Sequence, residues 1–122
     1  MSFILRWLGL DRAKAPVGLR PHRDLELALP YDAAYDKALE AFDLVLGANV
    51  WIDDRRAGLI EAGFGLVNTE RVRATLQAGG DALTRVHVEA FYPAGAAVPE
   101  SSRYVDALAA ALEPDAIRSN PV

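Results

Sequence analysis

The sequence predicts a single α+β domain: a curved antiparallel five-stranded sheet with two helices on one face, in the order β-α-β-β-β-β-α, preceded by a short N-terminal amphipathic helix. Three observations predict this class. Apolar residues recur at every second position in five segments, two further segments repeat at helical spacing, and glycine, proline and asparagine cluster between them. The length of 122 residues suits one ordinary core, and the absence of cysteine excludes disulfides and thiol chemistry.

The first strand and the first helix follow from their periodicity and from the residues that end them. Residues 24–29 alternate between polar and apolar side chains until Pro30, which is typical of a half-buried strand. A helix is expected over residues 32–46, because Asp32 can cap its start and Gly47 stands at the stop position. Its apolar stripe comprises Tyr35, Ala38, Leu39, Phe42, Val45 and Leu46.

Four strands and a second helix complete the predicted domain. The short connections between the strands favour an antiparallel meander, and Gly79-Gly80-Asp81 is a strong hairpin signal. Ser101 or Ser102 can cap the second helix, which ends before Pro114. The expected strands are 49–53, 59–66, 69–78 and 83–92. The expected division of the chain is an apolar helix at 1–10, a linker at 11–22, the α+β domain at 23–114 and a C-terminal tail at 115–122.

The order of elements over residues 23–113 resembles one repeat of the TATA-box-binding-protein-like fold, and several small bacterial domains look similar. The resemblance implies a curved sheet with two helices on its convex side. It does not carry nucleic-acid binding to this chain, because the DNA-binding member uses two repeats and a basic concave face. Here residues 1–23 hold five bases and one acid, net +4, and the other 99 residues hold eight bases and sixteen acids, net −8. An acidic body argues against a nucleic-acid partner.

Alternation along the strands assigns side chains to the sheet face opposite the helices, here termed the open face. Ile52, Val86 and Val88 are expected to point towards the helices, while Asp53 and other polar residues point away. A ligand or peptide platform is one interpretation, since arginines bind anions and aromatic rings offer flat contact. Cross-strand salt bridging on a solvated face is the other. The candidate binding residues are Trp51, Arg71, Arg73, Arg85, His87, Glu89 and Phe91.

No catalytic residue, metal site or cofactor is predicted. His87 would need Glu89 as a partner to act as a general base, and no nucleophile other than Thr75 is placed beside it. One histidine without cysteine makes a poor metal site. Gly63-Phe64-Gly65 lies between strands, whereas a dinucleotide-binding motif must open a helix, so these glycines indicate a bulge or a bend.

The N-terminal segment is the most unusual feature of the sequence. Ser2 to Leu10 reads as a helix whose candidate docking residues for a membrane or a partner are Phe3, Ile4, Trp7 and Leu8. It is similar to the short membrane-targeting helices of bacterial peripheral proteins, with bases towards anionic lipid. Packing back onto the domain, or between two copies, is the alternative, because a helix this short needs a partner. No signal peptide is apparent, so a cytoplasmic location is expected, with peripheral contact at the inner membrane as the alternative.

These observations favour a non-enzymatic binding or interaction module that uses the open face or the N-terminal helix, with another protein or a second copy as its partner. A membrane-surface accessory protein tethered by residues 2–10 is the alternative. An enzyme or small-anion binder centred on His87 is a distant third.

Overall fold

The computed structural model describes residues 20–120, so the predicted N-terminal helix and residues 11–19 of the predicted linker lie outside the described residues. Within residues 20–120, eight helices and strands follow one another, and a 3-10 turn, Glu113–Asp115, precedes the last strand. They are β1 (His22–Leu27), α1 (Tyr31–Leu44), β2 (Asn49–Asp54), β3 (Leu59–Gly63), β4 (Arg71–Gly80), β5 (Leu83–Phe91), α2 (Arg103–Leu112) and β6 (Ala116–Asn120).

The sheet has six strands in the order β2-β3-β4-β5-β1-β6, and all neighbouring strands are antiparallel. The α+β class and the meander of β2 to β5 are confirmed, but the predicted count of five strands is one short. β6 falls in the predicted tail because it contains a single large apolar side chain, Ile117, and no alternation. Backbone pairing with the outer edge of β1 makes it a strand, supported by Ala28 N–H donating to the Asp115 carbonyl at 2.8 Å.

One core lies between the sheet and the two helices. Alternate residues of β5 face it, since Val86, Val88 and Ala90 are 2 % exposed or less. The predicted alternation of this strand is therefore confirmed. The helices complete the core with Ala34, Tyr35, Ala38, Ala41 and Phe42 from α1, and with Val105, Leu108, Ala109 and Leu112 from α2.

The end of α1 differs from the predicted stripe. The helix stops at Leu44, and Gly47 follows in the left-handed region with φ 60°, where glycine carries no steric penalty. Val45, expected on the apolar stripe, is therefore outside the helix and 50 % exposed.

A β-bulge in β2 overturns two predicted orientations. Val50 pairs with Ala62 and Ile52 pairs with Glu61, so the register shifts between them. Because Ile52 pairs with Glu61, a residue of the open face, its side chain belongs to the open face and not to the helix side. Asp53 moves to the helix side, where it accepts a hydrogen bond from the Tyr35 hydroxyl at 2.6 Å. A strict period of two cannot anticipate an extra residue in one strand.

Ser102 caps α2, and its replacement tests that assignment. Its hydroxyl accepts from Val105 N–H at 3.3 Å and donates to the Glu70 carboxylate. We expect Ser102→Ala to lower the free energy of unfolding by about 1–2 kcal/mol in chemical denaturation. Ser101→Ala, at the exposed neighbouring position, is the control and should change it by less than about 0.5 kcal/mol. Equal effects of the two variants would contradict the cap.

Candidate interaction surfaces

The open face carries charged residues that the strand register places in cross-strand rows. Glu61, Arg73, Glu89 and His22 form one row across β3, β4, β5 and β1. Thr75, His87 and Asp24 form the next row. Side chains of opposite charge therefore lie next to each other on adjacent strands, and such pairs stabilise the pairing of the strands.

These charges neutralise one another. Arg73 Nε donates to Glu61 Oε1 at 3.0 Å, and the other carboxylate oxygen of Glu61 accepts from Trp51 Nε1 at 3.1 Å. Arg85 pairs with Glu26 at 3.4 Å. Glu61 is 7 % exposed, so its pairing with Arg73 is shielded from solvent more than an ordinary surface pair. Two of the three arginines predicted to receive an anionic ligand are thus already paired with carboxylates.

His87 lies between two carboxylates at the centre of the open face. Its Nδ1 is 2.6 Å from Asp24 Oδ1, and its Nε2 is 3.2 Å from Glu89 Oε1. Burial disfavours the imidazolium, but the hydrogen bonds to Asp24 and Glu89 and the charges of both carboxylates outweigh it and raise the pKa of His87 to about 9. Burial likewise raises the pKa of Asp24, but the hydrogen bond to His87 and its charge outweigh it and leave that pKa below 3.8.

This geometry makes His87 a poor catalyst. As an imidazolium near neutral pH it donates from both nitrogens and keeps no lone pair for accepting a proton or binding a metal. Within the described residues no group of three or more histidine, aspartate or glutamate side chains could hold a metal ion. The arrangement supports a structural role for the Asp24–His87–Glu89 cluster.

Phe91 is the apolar counterpart of these charges. The Arg73 guanidinium carbon lies 4.4 Å from the centre of its ring and that of Arg20 lies 4.6 Å away, distances typical of cation–π contacts. Arg20 also approaches Glu89, with Nη2 3.6 Å from Oε2. Arg73, His87, Glu89 and Phe91 are therefore parts of one network, as the alternation predicted.

The structure adds residues to the predicted site and separates others from it. Asp24, Glu61 and Arg20 complete the network, although they were not among the candidate residues. Asp24 could be assigned to the outward side of its strand, but only the pairing of β1 with β5 brings it to His87. Arg85 pairs with Glu26 in a separate row. Trp51, which donates to Glu61, and Arg71, which pairs with Phe91 across the strands, lie at the edge of the network and line a recess.

That recess, about 330 Å³, lies beside the β3–β4 connection. Trp51, Phe64, Leu66 and Arg71 are among the side chains that line it. The Trp51 indole packs on Gly63, and a Cβ at position 63 would lie only 2.3 Å from the indole carbon Cη2. Gly63 therefore provides space for Trp51 at the end of β3. Gly65 follows with φ 100°, and the bulge lies in the paired strand β2.

Exposed apolar side chains are concentrated in two segments of the chain, and two of these side chains, Trp51 and Leu66, line this recess. The structure's described part has seven large hydrophobic residues with substantial exposure, and five of them belong to the neighbouring segments 44–51 and 66–67. These five, which we term the apolar end, are Leu44, Val45, Trp51, Leu66 and Val67. Leu66 is 98 % exposed and Val67 is 99 % exposed. Among the described helices, none is long and apolar enough to cross a bilayer.

The protonation of His87 sets a pH dependence of stability. Its folded pKa of about 9 lies above the 6.5 of an ordinary histidine side chain, so its contribution is complete below pH 6.5 and is lost as the pH rises through 9. The contribution is on the order of 2–3 kcal/mol. We expect the stability difference between the native chain and His87→Gln to shrink over that interval in urea titrations.

A direct titration checks the same assignment. The full chain has two histidines, so in its His22→Gln variant the remaining imidazole signal in the NMR spectrum belongs to His87. The midpoint of its titration should lie near pH 9. A midpoint near 6.5 would show that the carboxylates do not hold the proton.

The packing of Trp51 on Gly63 predicts a specific epistasis. Gly63→Ala should destabilise the chain by about 1–3 kcal/mol, because the new methyl group displaces the indole. In a chain that already has Trp51→Ala, the same Gly63→Ala change should lower the stability much less. Gly80→Ala is the matched control, since the nearest atom to its Cβ lies 4.0 Å away. Additive effects of the Gly63 and Trp51 changes would contradict the contact.

Comparison with protein-family models, with curated proteins and with solved structures found no match to this chain. The TATA-box-binding-protein-like topology therefore stays a prediction. Any functional proposal has to be argued from the residues of the chain itself.

Proposed function

We propose that this chain is a non-enzymatic interaction module that associates with a second copy of itself through the apolar end. The observation that carries the proposal is the concentration of exposed apolar side chains there, five of the seven in the described residues. Exposed apolar patches on soluble domains commonly mark interaction sites.

Strand pairing supports placing these side chains at one end of the sheet. Asn49 pairs with Gly63, and Gly63 pairs with Arg71. The end of α1 leads into β2 at Asn49, and the connection that holds Leu66 and Val67 runs from Gly63 to Arg71. Leu44, Val45, Leu66 and Val67 therefore stand at the same strand ends, with Trp51 over Gly63 between the two segments.

Charge complementarity favours a second copy as the occupant. Arg71 is exposed beside the recess, and the described residues provide it with no ion pair. Asp43 is exposed on α1 immediately before Leu44. A two-fold axis that places Arg71 of each copy opposite Asp43 of the other would make the patch complementary to itself.

Other candidate functions gain less support. The open face pairs most of its charges internally, which leaves few groups for an anionic ligand. The lack of a lone pair on His87 near neutral pH weighs against an enzyme centred on it. The membrane-tether hypothesis concerns residues 2–10 and stays a prediction.

A single charge in the apolar end should weaken self-association. We expect Leu66→Asp to raise the dimer dissociation constant at least about tenfold in sedimentation velocity over a concentration series, because a carboxylate would be buried without a partner. Ile117→Asp is the control, since Ile117 is 63 % exposed on β6, outside the apolar end. A native chain that stays monomeric at every concentration would overturn the proposal, as would equal effects of the two variants.

A charge exchange tests the symmetric arrangement. Arg71→Asp alone should weaken the dimer, because it places two acids opposite each other. Arg71→Asp combined with Asp43→Arg should restore it, because the pair is re-formed with reversed signs. If the double variant is as weak as the single one, association does not use this contact.

A further inference from the structure

The open face contains charged side chains that are buried, although both helices pack on the opposite face. Glu89 is 2 % exposed, Glu61 is 7 % and His87 is 8 %. The apolar stripes of α1 and α2 belong to the core cluster on the other side of the sheet. Charged residues are rarely buried on a sheet face without cover, so these values indicate that something lies over the part of the open face around Glu61, His87 and Glu89, whereas Arg71 and Arg85 of the same face are exposed.

Arg20 shows where the preceding chain leaves the sheet. It lies on the open face, over Phe91 and beside Glu89, and is 8 % exposed. Its Nε and Nη2 are buried and have no hydrogen-bond partner. Nη2 lies 3.6 Å from Glu89 Oε2, so its charge is partly compensated, but the buried Nε is left without an acceptor. An unsatisfied buried donor is costly, which points to an acceptor supplied from outside the described residues. Since residue 19 is bonded to Arg20, the preceding chain begins beside Phe91 and Glu89.

We infer that the open face is the docking site of the chain's own apolar segment Phe3–Leu10. This segment has six large apolar residues and is too short to be a stable helix alone in water. Phe91 offers it an apolar contact between two guanidinium groups. Asp11, the one acid among residues 1–23, is an acceptor of the right charge for the unsatisfied donors of Arg20.

Chain length makes docking within one molecule feasible. Residues 11–19 span at most about 30 Å when extended. A six-stranded sheet is about 24–29 Å wide at the usual strand spacing, so the segment can reach any strand of the open face. The short connection also gives the segment a high effective concentration, which favours its own sheet over a second copy.

Docking here excludes other uses of the segment. The same apolar side chains cannot cover Phe91 and enter a lipid surface at once. The docking site around Phe91 adjoins the apolar end, because Phe91 pairs with Arg71 across the strands and Trp51 donates to Glu61 of the open face. The inference itself does not depend on the proposed dimer.

Tryptophan fluorescence tests the inference on the full chain. The sequence has two tryptophans, so Trp51→Phe leaves Trp7 as the sole reporter. In the Trp51→Phe, Leu66→Asp background we expect Trp7 to be blue-shifted and quenched by acrylamide several-fold less than in the urea-unfolded chain. Phe91→Ala should restore quenching, whereas Ile117→Ala, at an exposed position outside the open face, should not.

A double-mutant cycle distinguishes loss of the Trp7–Phe91 contact from a general loss of stability. Trp7→Ala and Phe91→Ala should be coupled, so that their combined effect on the unfolding equilibrium constant differs from the product of the single effects by about threefold or more. Trp7→Ala and Ile117→Ala should show no coupling. Absence of coupling in the first pair would overturn the inference.

Each other location of the segment gives a distinct result that overturns docking within one molecule. Free quenching of Trp7 at all concentrations shows an undocked segment. Shielding that disappears on dilution shows docking on a second copy. Shielding that requires vesicles of anionic phospholipid shows a membrane-bound segment. Loss of the dimer with Trp7 still shielded would count against the proposed function alone.

Discussion

The two faces of β5 are the constraint on which the rest of the structure depends. This strand lies between β4 and β1, and its residues alternate between Val86, Val88 and Ala90 towards the core and His87 and Glu89 towards the open face. Since both sets are buried, the strand must satisfy apolar packing on one side and charge pairing on the other. A register slip of one residue would place charges in the core, so this strand fixes the register of its neighbours.

The buried charge pairs on the open face stabilise one register of the sheet and provide no group for acid–base chemistry. An imidazolium held between two carboxylates is satisfied, and removing one partner would leave a charge without compensation. The same pairing connects β1 and β5 through side chains as well as backbone. These contacts favour one sheet register and leave His87 without the lone pair that acid–base chemistry requires.

Two kinds of surface remain for contact, and they differ in character. The open face is charged and largely self-paired, with Glu61, His87 and Glu89 buried. The apolar end is exposed, and its Arg71 has no ion pair among the described residues, which suits reversible association. The division agrees with the physical expectation that exposed apolar area drives binding while paired charges mainly set orientation.

By itself, the sequence determined the α+β class, the position of seven elements and the separation of apolar from charged strand faces, because these depend on short-range periodicity. It also identified Arg73, His87, Glu89 and Phe91 as residues of one face. The tertiary structure decided the sixth strand, which depends on a free edge of β1, and the bulge that turned Asp53 towards Tyr35. It also decided the protonation of His87, because Asp24 is 63 residues away in the chain and only strand pairing makes it a neighbour.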